Sequence, residues 1–159
     1  MKKAEKEIKE TGIHRGLLKI EPNIELAKKH IIKAEHNLKA IMDFKNMGYS
    51  DWSASASFYT IYHSLLSILA KKGYDSRNQE CTFALIYQLI NTGEIDLDIN
   101  LIKEVHLENL DQKHESVTII ELRELEQYGV SVSLEEDLYE KILKTSKEIL
   151  DVAKEIVES

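Results

Sequence analysis

The chain has 159 residues, a net charge of −7 from 28 acidic and 21 basic side chains, and only six glycines, one proline and one cysteine. So few turn-forming residues exclude a β-sandwich or barrel, which needs a turn about every ten residues. A single cysteine, Cys81, excludes an internal disulfide or a cysteine-rich zinc site, and the acidic balance argues against a broad, salt-driven grip on nucleic acid.

Residues 1–21 are highly charged and weakly periodic. They are expected to form an N-terminal lead that ends in a docking segment, Leu17-Leu18-Lys19-Ile20. No apolar stretch follows the basic start, so a secretory signal is not expected. No apolar run is long enough to cross a membrane, and the expected compartment is the reducing cytoplasm.

Residues 22–159 read as one helical domain. The first helix opens at Pro22 with Asn23 as its cap. Ile24, Ala27, Ile31, Ala34, Leu38 and Ile41 then recur at alternating steps of three and four, up to a stop at Gly48. A second helix is predicted from Ser50 or Asp51 to Lys71-Lys72, closed by Gly73. Its apolar seam is Ala54, Phe58, Ile61 with Tyr62, Leu65 and Leu69, and the small residues at 53–57 would let another helix come close. A third helix is predicted over about 80–91, a fourth over about 98–110 and a fifth over about 114–128. The run Val117-Thr118-Ile119-Ile120 also suits the start of a strand. Ser133-Leu134-Glu135-Glu136 has the pattern of a capping box for the last helix. The apolar stripe of that helix is wide enough to be buried on two sides. The expected fold is an all-α, up-and-down bundle of five to six helices.

Common enzyme signatures are missing. There is no phosphate-binding glycine loop, no nucleophile elbow and no His-Glu-x-x-His. Asp111-Gln112-Lys113-His114 has the spacing of a ligand pair but stands alone, and His30 and His36 do not share a helix face. No metal and no cofactor are expected.

One stripe does carry chemistry. Asp51, Ser55, Tyr59 and His63 recur at steps of four beside the apolar seam of the second helix. They would form one wall of a binding site, with His63 as the titrating group. Alternatively they form a polar band at a helix or subunit contact. The chain also holds only three arginines, Arg15, Arg77 and Arg123, against 18 lysines. Arginine's planar fork suits phosphate. Arg123 shares a helix face with Gln127 and has Tyr128 nearby. The alternatives are, for Arg123, an ion pair with Glu124 or Glu126 or a capping role near the helix end, and for Arg77 an ion pair with Asp75 or Glu80.

The stretch from Leu26-Ala27-Lys28-Lys29 to Gly48-Tyr49-Ser50-Asp51, the run Ala54-Ser55-Ala56-Ser57-Phe58-Tyr59-Thr60-Ile61-Tyr62-His63, and Lys71-Lys72-Gly73-Tyr74 together resemble the HEPN domain. Leu122-Arg123-Glu124-Leu125-Glu126-Gln127-Tyr128-Gly129 is similar to a late segment of the same family. The resemblance spans about residues 17–157. It implies a helical bundle, commonly dimeric, often encoded beside a small nucleotidyltransferase in toxin–antitoxin pairs, and in many members a metal-free ribonuclease.

The family's catalytic signature is an arginine, four to six intervening residues and then a histidine. Here Arg123 is followed at that spacing by Tyr128, Gly129 and Val130, and neither Arg77 nor Arg15 has a histidine there. The resemblance therefore implies a non-catalytic protein. It would bind a nucleotide, RNA or a nucleotidyltransferase partner as a dimer, through Asp51, Ser55, Tyr59, His63, Arg77, Arg123, Gln127 and Tyr128. Two alternatives stay open: a divergent ribonuclease using His63 with Arg123 or Arg77, and a structural module that docks another chain.

Overall fold

A computed structural model describes residues 17–107 and 117–159. The expectations for the lead 1–16, with His14 and Arg15, and for the Asp111–His114 turn lie outside the described residues. So do residues 108–110 of the predicted fourth helix and 114–116 of the predicted fifth. The rest is an all-α bundle of six helices: α1 (Ile24–Asn46), α2 (Ser50–Lys72), α3 (Gln79–Asn91), α4 (Ile99–Val105), α5 (Ile119–Tyr128) and α6 (Glu136–Glu158). Among the described residues, no helix is long and apolar enough to cross a membrane.

α2 is the central element, packed by α1, α6, α5 and α3. Fourteen of its residues are buried, an almost unbroken run from Ser53 to Ala70. Five of these carry hydroxyls, and every one is hydrogen-bonded. Ser53 donates to the Ile41 carbonyl of α1 (2.7 Å). Ser57 shares a 2.7 Å hydrogen bond with Ser146 of α6, and Ser146 donates to the Ile142 carbonyl. Thr60, Ser64 and Ser67 donate to carbonyls in the preceding turn of α2. Each unmet hydroxyl would cost about 1–3 kcal/mol at such depth. The small side chains therefore do two things: they let α1 and α6 approach, and they remain satisfied without water.

α6 is buried on two sides, against α2 and α1, as its wide stripe predicts. At its start Lys45 of α1 pairs with Glu136 and lies 4.0 Å over the Tyr139 ring. At its end the Lys71 ammonium donates to the carbonyls of Val157 and Ser159, complementing the negative helix terminus.

Several boundaries differ from the sequence reading, each for a local reason. Asn23 does cap α1, its side chain accepting from Leu26 N–H at 2.9 Å. Neither Ser50 nor Asp51 caps α2, and the capping box at Ser133 does not form. Instead Ser50 Oγ accepts from the Leu134 N–H at 2.8 Å, so one hydroxyl ties the α1–α2 turn to the α5–α6 connection. The fourth helix ends at Val105, because His106 is extended there. Thr118 is extended and caps α5, accepting from Glu121 N–H; Ile119 and Ile120 are helical, which settles the strand-or-helix choice.

The sequence reading missed two short strands, β1 (Leu17–Lys19) and β2 (Tyr74–Ser76), paired antiparallel with Leu18 opposite Asp75. Leu17 is buried and joins the core. The ladder is anchored by Gly73. This residue ends α2 at φ +91°, and its carbonyl accepts from Ile20 N–H at 2.8 Å. A Cβ on Gly73 would stand 2.7 Å from the Ile20 carbonyl oxygen. Gly73→Ala is thus expected to cost about 2 kcal/mol or more, combining a left-handed backbone penalty with a clash. Urea denaturation monitored by circular dichroism checks this; an unchanged midpoint would contradict it.

Candidate functional site

The polar stripe of α2 is its window to solvent. Between Ser53 and Ala70 the positions that are not buried are Ser55, Tyr59, Tyr62 and His63. Asp51 extends the stripe at the N-terminal end. The cause lies in the packing: α1, α3, α5 and α6 cover the other faces and leave one side open.

Two clusters lie along this window. The first centres on Arg123 of α5. Its guanidinium carbon lies 4.1 Å from the Phe58 ring centroid and 5.9 Å from that of Tyr59, within cation–π range. Phe58 and Tyr59 meet edge to face, and Tyr59 is 45% exposed, so its ring is open to a stacking ligand. Among the described residues the guanidinium has no carboxylate partner, and its buried Nε has no acceptor. The expected alternative, an ion pair with Glu124 or Glu126, is therefore not formed. Glu126 stands one turn further on with its own Oε2 unpartnered. Desolvation, then the nearby Asp51 carboxylate, pushes its pKa above the usual carboxylate range.

The second cluster is one the sequence did not reveal. His30 of α1 and His63 of α2 meet through their Nδ1 atoms at 3.0 Å, with ring planes tilted by 30°. The two lie 33 positions apart, and only the register of the α1–α2 pair brings them together. Burial, then the charge on His30, then that on Lys33 hold His63 down to about 4. Burial also lowers His30, opposed by the Asp75 carboxylate of β2.

Other expected site residues are placed apart. Arg77 follows β2, is exposed and lies 3.5 Å from Asp75, as the local-pair alternative proposed. It stands beyond the far end of α2 from Arg123, so the two arginines are not brought together. Gln127 is exposed, and Tyr128 is 80% exposed. Five residues at 100° each turn Tyr128 away from Arg123. It lines a shallow depression of about 460 Å³ with Glu121, Glu124, Leu125 and Gly129, not the stripe on α2. Among the described residues there is no group of three or more potential metal ligands.

A family model for the HEPN domain matches residues 27–156, most of the chain and all of α2, α3, α4 and α5. The chain belongs to the HEPN family. A search of curated proteins gives no match. In this HEPN chain the arginine on α5 and the histidine on α2 lie along one window but come from different helices.

The histidine pair makes the fold pH-sensitive. In the unfolded chain His63 protonates near 6.5; in the folded chain it does so only near 4. The unfolded state therefore binds more protons as pH falls between those values, and stability falls with it. His63→Gln should flatten the decline of the urea midpoint between about pH 6.5 and 4. Equal slopes for the two proteins would contradict the assignment.

Proposed function

We propose that this HEPN protein binds a nucleotide or a short single-stranded RNA segment without cleaving it, as a dimer that serves a nucleotidyltransferase partner. The observation that carries the reading is Arg123: a half-buried cation held on aromatic faces, with a buried Nε that has no acceptor and, among the described residues, no carboxylate partner, beside an exposed tyrosine ring. A base stacked on Tyr59 and an acceptor on the ligand would complete both groups. Family membership supports a nucleotide- or RNA-related role.

The dimer and the partner draw on a different surface. Met47, Tyr49 and Trp52 at the α1–α2 turn, and Val130 and Val132 after α5, are all more than half exposed. The Ser50–Leu134 hydrogen bond holds these two segments side by side. Apolar residues gathered at one end of a bundle suit a subunit contact, and light scattering on the purified protein tests it.

The ribonuclease alternative gains some support because His63 and Tyr59 share the stripe and the Arg123 guanidinium carbon lies 5.9 Å from the Tyr59 ring centroid. Against it stand the missing arginine–histidine spacing and the low proton affinity of His63, which makes it a weak base.

Arg123→Ala should weaken binding of mononucleotides about tenfold in calorimetry, the effect of losing roughly 1–2 kcal/mol of charge-assisted contact. RNA incubated with the wild-type protein should stay intact. A variant that binds as tightly as wild type, or a wild type that binds no nucleotide, would overturn the reading.

A further inference from the structure

The Nδ1–Nδ1 contact of His30 and His63 restricts where their protons can sit. Each neutral imidazole carries one N–H. A hydrogen bond between two Nδ1 atoms uses one of these protons, so the acceptor ring keeps its proton on Nε2 and the donor ring has a bare Nε2. The neutral pair therefore offers one donor and one lone pair outside the contact. Adding one proton to the bare Nε2 gives two outer donors and one positive charge, and the Nδ1 hydrogen bond survives. Adding a second proton would set N–H against N–H across 3.0 Å and break the pair.

We propose that His30 and His63, with Lys33 beside them, form a phosphate subsite that takes up one proton from solvent as the ligand binds. The two Nε2–H groups point away from each other across this contact, so a phosphate or phosphodiester oxygen accepts from one of them, the newly protonated Nε2–H, and its charge stabilises the imidazolium. The surroundings suit this. Lys33 lies close enough to act electrostatically on His63, and its charge adds to the attraction for an anion. Asp75 acts on His30 from β2 and favours the protonated ring, while Arg77 partly neutralises Asp75. From α2, Tyr62 sets its ring edge-to-face against His63, and Tyr59 stands one turn away. Without a ligand, desolvation keeps His63 uncharged at neutral pH. The pair is thus an uncharged site that becomes cationic when an anion arrives.

This inference rests on the nucleotide-binding reading: the phosphate would sit at the histidines and the base near Tyr59 and Arg123. It adds His30 and Lys33 to that site.

The test is isothermal calorimetry with the deoxydinucleotide dApdA, whose phosphodiester does not titrate near neutrality and whose sugars bar 2′-hydroxyl cleavage. Titrations at about pH 6 in two buffers of different ionisation enthalpy give the protons taken up per ligand bound. The expected value is between about a half and one, falling close to zero in the double variant His30→Gln/His63→Gln. Circular dichroism checks that the variant folds, and the wild-type value stands without it. If that variant does not fold, Lys33→Glu serves instead and should weaken binding severalfold. Binding with smaller proton uptake, or uptake retained in the double variant, would overturn the subsite and leave nucleotide binding intact. No binding of dApdA or of any mononucleotide would overturn the reading on which it rests.

Discussion

A helix enclosed by other helices has no water to satisfy its side chains, and α2 is enclosed along most of its length. Its polar residues must either bond within the protein or sit on the one side left open. Ser53 and Ser57 bond to neighbouring helices, and Thr60, Ser64 and Ser67 bond to their own backbone. Ser55, Tyr59 and His63 face the opening. The same constraint that decides which hydroxyls are buried also makes the solvent-facing stripe, and the stripe is where groups able to meet a ligand collect.

The two clusters on this stripe differ in how they hold charge. Arg123 carries a guanidinium that the Phe58 ring steadies, with no acid paired to it among the described residues. The histidine pair is uncharged at neutrality because burial lowers both rings, against Asp75 at His30, and the charges of His30 and Lys33 lower His63 further. A permanent cation at one end and a conditional one at the other suit a small anionic ligand with an aromatic part. They do not suit an extended polyanion, which the overall charge of −7 would repel.

Much of this was legible in the sequence because its signals are local. The seam from Ile24 to Ile41, the Lys71-Lys72-Gly73 stop and the step of four from Asp51 to His63 each depend only on neighbouring residues. What was not legible depends on distant partners. Ser50 satisfies Leu134 across the bundle and does not cap its own helix, and the Ser133 capping box gives way. β1 and β2 have three residues each, too few for an alternating pattern. His30 meets His63 only through the α1–α2 register. Tyr128 reads as a neighbour of Arg123 along the chain, yet the helix turns it to another face. Gly129 stops α5 without a left-handed backbone: its φ is −83°, and a Cβ there would meet the Leu125 carbonyl oxygen at 2.5 Å.

The central claim is that the window on α2 is where the ligand sits. Titrating isotope-labelled protein with a mononucleotide and following amide and side-chain shifts by NMR tests it most directly. The account predicts that perturbations gather at Ser55, Tyr59, His63, His30 and Arg123 and leave Leu125 and Tyr128 unmoved. Shifts confined to Leu125, Tyr128 and Val130, on the outer side of α5, would contradict it.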